Sequence, residues 1–374
     1  MSATKPFTRR DFLRTGAVLG GAVLLSPVTR FISPAHAGLS SVPVVDRLDV
    51  HVVVDAYYDL LAADEERPKL EVKRTRGPVH AQHGLALFLE SKLGDETKYV
   101  MLDFGWTPDA LIHNLRLMGM DAPELTDALV VSHGHADHFG GLMKFVEQQP
   151  EAKRRGMHLY LGGDDALCHR WSRRPDGSRR TFGVLDRPGL EAAGIDITLA
   201  PDGAVVAGHG FTSGVIERSS PEEVLGNTLV EVGERDGVGC TGAQHQAHFT
   251  EEELKGNFLF DHHWGEHVTA YHVKDRGLVV MTSCGHAGLV NSVRQAQKAS
   301  GIEKVHAVMG GFHLAPAKTD YVEKVIDLLV AEADPDYIVP MHCSGANFSN
   351  VMAHKYPERL VNSYVGTRYI FGAA

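Results

Sequence analysis

"SHGHADHFGG", residues 132–141, places three histidines and an aspartate within six positions, from His133 to His138. The run "LTDALVV" immediately before it reads as a buried strand. On an extended backbone alternate side chains share a side, so His133 and His135 point the same way and can hold one ion together. Asp137 and His138 follow as the chain turns and can face a second ion nearby. Gly134, Gly140 and Gly141 let the backbone bend tightly around these side chains. Imidazole and carboxylate are ligands for zinc, iron or manganese. The competing reading is a solvated polar loop rich in histidine, which does not account for the whole pattern standing at a strand end.

A metal site needs ligands from elsewhere in the chain. Three stretches of the C-terminal third offer them: "TSCGHAG" with His286, "GGFHLAP" with His313 and "VPMHCSG" with His342. In each, an apolar strand stops near a histidine flanked by glycine, which delivers the side chain to a sheet edge. One such histidine is more often structural. Three at equivalent places favour ligands, although not necessarily all three.

The rest of the chain bounds what this site can serve. With 374 residues, 43% hydrophobic and 22% charged, it can bury a large core. The net charge is −10 and aromatics are 7%, with no long basic run, which argues against a nucleic-acid partner.

The N-terminus reads as an export signal. "TRRDFLR", with Arg9 and Arg10 before Phe12 and Leu13, resembles a twin-arginine signal. "GAVLGGAVLL" is too short to span a membrane, and "AHA" ending at Ala37 is a small-x-small cleavage site. Removing residues 1–37, with five basic and one acidic residue, takes the net charge from −10 to −14. The expected partners are therefore the twin-arginine export machinery and a small-molecule substrate, with no stable membrane span after cleavage. The expected location is periplasmic or secreted. That compartment permits disulfides, and Cys168–Cys240 is a possible pair.

Residues 38–45 read as a linker and 46–374 as one large domain. Alternation in "RLDVHVVVDAYYDL" predicts a strand, as do "GLALFLE" and "YVMLDFG", joined by a polar turn at 91–98. A helix is expected from Pro108, with Leu111, Leu115 and Met118 on one face, and another through Leu142, Phe145 and Val146. "MHLYLG" is a further strand. Residues 165–265 are rich in Gly, Pro, Arg and charge and read as a loop-rich excursion. Beyond them come a hairpin ("HVTAYHV", "GLVVMTS"), a helix, the strand "VHAVMGG", an amphipathic helix and "YIVP", the last clear strand. The fold class is α/β, with layered α and β structure.

"SHGHADHFGG" resembles the signature of the metallo-β-lactamase fold superfamily. "HGLALFLE", "YVMLDFGWTPDALIHNL", "GLVVMTSCGHAGLVNSV", "VHAVMGGFHL" and "VPMHCSG" resemble its dihydropteroate-synthase-like, or dihydropterin ribofuranosylaminobenzene phosphate synthase-like, branch. The likeness covers most of 46–374 apart from 165–260. It implies a four-layer αββα sandwich with a metal centre at one edge of the sheets. It also implies a first metal on His133 and His135, a second on Asp137 and His138, and a late histidine ligand, His342. The family's bridging aspartate follows a T-G pair; here Thr282-Ser283-Cys284 stands there, with Ser for Gly and Cys for Asp. His286, two residues on, is preferred to Cys284 as the ligand because glycine precedes and follows it in G-H-A-G. "DHHWGEH" offers His263 as the middle histidine, but its likeness is to an acidic stretch matched by Asp261 and Glu266. Asp103 in "MLDFG" matches an acidic residue that supports the ligand loop.

The expected activity is metal-dependent hydrolysis of an ester, lactone, amide or phosphoester. Two divalent ions, zinc before iron or manganese, acidify water, and Asp137 orients it or accepts a proton. One alternative is a synthase acting on a pterin or phosphoribosyl substrate. For it, Arg170, Arg173, Arg174, Arg179 and Arg180 are candidate phosphate ligands, against the plainer reading of a solvated loop. The other alternative is a di-iron redox protein.

Overall fold

Leu48, Val50 and Val52 face one apolar layer, while their neighbours Val53 and Val54 face another, and all five are buried. The same division recurs in the next strands. Leu87, Leu89, Val100, Leu102 and Val130 point to the first layer; Phe88, Met101, Leu129 and Val131 point to the second. A strand apolar on both faces must be covered on both faces. In the computed structural model, which describes residues 39–372 except 123–124, 227 and 256–257, this requirement is met by four layers.

Two sheets pack face to face. One has nine strands and includes Arg47–Val54, Ala86–Leu93, Glu96–Leu102, Ala128–Val131 and Met157–Leu161. The other has seven and includes Thr269–Val273, Gly277–Ser283, Val305–Gly311 and Tyr337–Met341. Val279, Met281, Ala307, Met309 and Val339 fill the space between the sheets with Leu48, Val50 and Val100. Outside the nine-stranded sheet lie the helices Pro108–Leu117 and Leu142–Gln148, which bury Leu111, Leu115, Leu142, Phe145 and Val146. Outside the other lie Leu289–Ser300, Thr319–Ala333 and Ala346–Lys355, which bury Val293, Ile326 and Phe348. This is the expected αββα sandwich.

Several local expectations need correction. The polar turn at 91–98 narrows to Gly94 and Asp95, because the pairing runs on to Leu93 opposite Glu96. Met118 is the helix C-cap and only partly buried. The linker contains a short strand, Val44–Val45, paired parallel to Thr269–Val273. "YIVP" is not the last strand: Thr367–Gly372 enters the nine-stranded sheet between Arg47–Val54 and Leu70–Arg74.

The excursion at 165–265 is more ordered than its composition suggests. Within it, His169–Arg173, Arg179–Gly183, Thr228–Glu231 and Leu259–Phe260 form a separate four-stranded sheet. Ile195–Leu199 joins the nine-stranded sheet, and Ala204–Val206 and Gly210–Thr212 join the seven-stranded one. These strands are short, and Arg179 and Arg180 are exposed, so no apolar periodicity marks them. A Cys168–Cys240 disulfide ties the excursion to itself. The twin-arginine segment lies outside the described residues, among which no helix is long and apolar enough to cross a membrane.

Candidate metal centre

Parallel strands all end on the same side, and open α/β sheets place their functional groups in the crevice outside the carboxyl ends. Glu96–Leu102 pairs parallel to Ala128–Val131, and Gly277–Ser283, Val305–Gly311 and Tyr337–Met341 are mutually parallel. Just beyond their carboxyl ends come Asp103, His133, Cys284, His313 and His342. Both sheets thus deliver side chains to one edge.

The turns that do this are strained. Asp103, His263, Ser283, His313 and His342 all have φ between 42° and 60°, the left-handed region that non-glycine residues avoid. Ser283 stands where a glycine is usual in the resembling branch, and its φ of 60° shows why glycine suits that position. Gly134 is needed for a different reason. A Cβ there would lie 2.2 Å from Arg170 Nη1 and 2.4 Å from the Ala166 carbonyl oxygen.

The imidazoles converge. Ring centroids lie 4.7 Å apart for His133 and His135, 4.9 Å for His133 and His286, and 4.8 Å for His135 and His286. Ligand atoms of His133, His135 and His286 all lie within 4.8 Å of one another, as do those of His133, His138 and Cys284. His263 stacks on His286 at 3.8 Å, and His313 packs on the other side at 3.9 Å. The structure therefore brings together every ligand candidate named from the sequence, including both Cys284 and His286.

The donor set suits a metal ion. His133 Nε2, His138 Nε2, both ring nitrogens of His263 and of His286, and Asp137 Oδ1 are buried without a hydrogen-bond partner among the described residues. Such groups are costly to bury unpaired, and a cation at their centre would satisfy them. Burial, reinforced by neighbouring histidines, holds the pKa of His133 and His286 well below the usual value. Neutral imidazole is the metal-binding form. Burial also opposes charge on His138, but Asp103 and Asp137 outweigh it and raise its pKa to about 9. Burial alone would raise the pKa of Asp137, yet His138 and His342 hold it well below the carboxylate range.

Supporting contacts fix these rings. Asp103 Oδ2 accepts from His138 Nδ1 at 2.6 Å and from the Ser132 hydroxyl, and Oδ1 accepts from the Ser132 amide. Asp103 is thus a positioning group for His138 and its loop. His342 differs from the other candidates. Its Nδ1 accepts from the Gly84 amide at 3.0 Å, which puts the proton on Nε2, 3.2 Å from Asp137 Oδ2. Coordination through Nε2 requires that arrangement to be released.

The structure gives roles to residues whose sequence setting assigned them none, or a different one. His83 Nε2 lies 3.4 Å from Asp137 Oδ2 at the exposed mouth. It precedes a strand and belongs to no cluster in sequence. Glu266 accepts from the amides of His286 and Ala287, and burial raises its pKa to about 7. Arg170 corrects the solvated-loop reading. It is fully buried, bonded to Asp165 at 2.6 Å and to Asp261 at 2.9 Å, and Asp261 in turn lies 3.4 Å from His135 Nε2. Arg173, Arg174, Arg179 and Arg180 are exposed.

Comparisons with known proteins agree with this fold. The metallo-beta-lactamase superfamily model matches residues 82–221, the part that carries His83 through His138. The chain is 25% identical over 290 residues to a 7,8-dihydropterin-6-methyl-4-(beta-D-ribofuranosyl)-aminobenzene-5'-phosphate synthase of Methanocaldococcus jannaschii, covering 77% of this chain and 90% of that protein. An uncharacterised protein of the same organism is 24% identical, covering 71% and 85% respectively. Among solved structures, Tm1679, a metal-dependent hydrolase of the beta-lactamase superfamily, superposes with a TM-score of 0.61 at 20% identity, covering 86% of this chain and 98% of that one.

Proposed function

Given that the chain belongs to the metallo-β-lactamase superfamily, we propose that it is an exported hydrolase dependent on two divalent metal ions. Its substrate is an ester, lactone, amide or phosphoester. The observation that carries this reading is the convergence of unpartnered, buried ring nitrogens on His133, His138, His263 and His286 with Asp137 Oδ1. His133, His135 and His286 would hold one ion. Asp137, His138 and Cys284 would hold the other, with His342 after release of its hydrogen bond. When bound, such ions supply electrophilic polarisation and acidify water.

The chain's own residues do the rest. Asp137, anionic and buried, lies between His83 and His342 and can accept or pass a proton at Oδ2. Asp103 keeps the His138 ring aimed at the centre. Trp106 and Phe182, with ring centroids 6.0 Å apart, stand at the mouth; Phe182 is 5.0 Å from His135 and Trp106 is 5.9 Å from His83. These rings narrow the approach and offer apolar surface to a substrate.

Export rests on the twin-arginine pattern at Arg9 and Arg10, and the Cys168–Cys240 disulfide supports an oxidising destination. Metal analysis of the purified protein, joined to ester, lactone and phosphodiester assays, tests the activity. The expected result is two bound ions and hydrolysis of one substrate class, both lost in His135→Ala. A protein that binds no divalent ion contradicts it.

One observation favours a second reading, group transfer to or from a phosphate-bearing substrate. The strand Arg179–Gly183, which carries Phe182, also carries Arg179 and Arg180, and the similar Methanocaldococcus jannaschii protein is named as the synthase of an aminobenzene-5'-phosphate. Product analysis separates the two: transfer requires an acceptor other than water.

A further inference from the structure

Cys284 and Cys343 meet across a strand that separates them. Cys284 follows Gly277–Ser283, and Cys343 lies in the turn His342–Ser344 after Tyr337–Met341. Val305–Gly311 runs between those two strands and pairs with both. The sulfurs nevertheless approach to 3.2 Å over 59 residues of sequence. They can do so because the middle strand ends in Gly311, where a Cβ would lie 2.7 Å from Cys343 Sγ and 2.5 Å from the Ser283 carbonyl oxygen. The Cys343 sulfur is held in place by the His313 amide at 3.2 Å and by the Cys284 carbonyl at 3.4 Å.

Cys284 also stands among the histidines. Its Sγ belongs to one cluster with His133 and His138, to another with His286 and His313, and to a third with His342 and Cys343, each spanning no more than 4.8 Å. It can therefore serve the metal centre or Cys343, but a sulfur in a disulfide is no longer a thiolate ligand.

We propose that Cys284 and Cys343 form a redox latch on the metal centre, resting on the metal-centre reading above. In the reduced protein Cys284 gives its sulfur to the centre. Peroxide closes a Cys284–Cys343 disulfide in two balanced steps. One thiol attacks hydrogen peroxide, the O–O bond breaks, and a sulfenic acid and water result. The second thiol attacks that sulfenic sulfur, the S–O bond breaks, and the disulfide forms with release of a second water. The two sulfurs lose two electrons and peroxide gains them. Closing the bond requires the sulfurs to approach by roughly 1 Å, within reach of the strained turns that carry them. Cys284 is 2% and Cys343 7% exposed, so the latch responds to a small oxidant. A dithiol reductant reopens it by exchange.

Purified protein is treated with chelator or loaded with zinc, exposed to hydrogen peroxide, and digested without reduction for mass spectrometry. The latch predicts a Cys284–Cys343 linked peptide in the chelated sample, reversed by dithiothreitol, and at least a several-fold slower appearance in the zinc-loaded sample. The linked protein should then take up less zinc than its reduced form, while Cys343→Ser and Cys343→Ala keep the same zinc content before and after mild peroxide. Absence of the linked peptide overturns the proposal, as does linked protein that retains its full zinc. Reduced protein that takes up no zinc overturns the metal-centre reading and the coupling to it, while the linked peptide still decides whether the thiols pair.

Discussion

His286 stacks on His263 with ring centroids 3.8 Å apart and planes 13° from parallel, and none of the four ring nitrogens has a hydrogen-bond partner among the described residues. The carboxylate beside them is Asp261, whose Oδ1 lies 3.5 Å from His263 Nδ1, too far for a hydrogen bond of good geometry. On the proposed metal-centre reading, a cation shared by the surrounding nitrogens accounts for the burial of both rings. Lowered pKa values at His133 and His286, an ionised Asp137 and backbone strain at the ends of the strands accord with the same demand.

Asp103 offers a test that leaves every ligand in place. Asp103→Asn keeps the shape of the side chain but removes the charge behind His138. Affinity for one of the two ions should fall by about 10–100-fold, measured by competition with a metal chelator. Unchanged affinity at both positions would show that Asp103 only caps the Ser132 turn.

Arg170 is buried between Asp165 and Asp261 beneath the His135 loop. Arg170→Met should cost about 3–5 kcal/mol, read from denaturant unfolding, because two carboxylates lose their counter-charge. Burial tends to raise the pKa of both aspartates, but Arg170 outweighs it and holds them below the ordinary value of 3.8. Their contribution to stability is thus present above that value and is lost as pH falls through the lower folded values. In the variant His245 at Asp165, and His135 and His263 at Asp261, still oppose burial, but without the guanidinium these pKa values rise and the deficit should shrink as pH falls. A deficit that stays constant with pH would contradict this account.

The proposed export would depend on Arg9 and Arg10. Replacing both with lysine should leave the protein in the cytoplasm with residues 1–37 attached, as judged by fractionation and intact mass. Normal export and trimming of that variant would rule out the twin-arginine reading.

The layers and half of the centre were legible in the sequence for a physical reason. A strand buried on both faces shows a continuous apolar run, as in "LTDALVV", and a ligand loop after it keeps several ligands close together. The excursion was less legible because its strands, such as Arg179–Gly183, are short and lie on the surface. Burial of Arg170 could not be read from "CHRWSRRPDGSRR", since its partners Asp165 and Asp261 lie 5 and 91 residues away. Cys343 shows no role in the sequence, because its partner lies two strands away and the glycine at 311 lets them meet. His83 likewise depends on a fold contact with Asp137, not on a local pattern.

Metal stoichiometry of His286→Ala beside Cys284→Ser tests the central claim most directly. His286 has two unpartnered nitrogens between His133, His135 and His313, whereas Cys284 has a second sulfur beside it. The account predicts that His286→Ala loses at least one ion per chain together with activity, and that Cys284→Ser, which keeps an oxygen donor where the sulfur was, holds the second ion more weakly but loses less metal, while remaining folded by circular dichroism. A folded His286→Ala protein that keeps both ions would contradict it, and a larger loss in Cys284→Ser would reverse which of the two side chains anchors the centre.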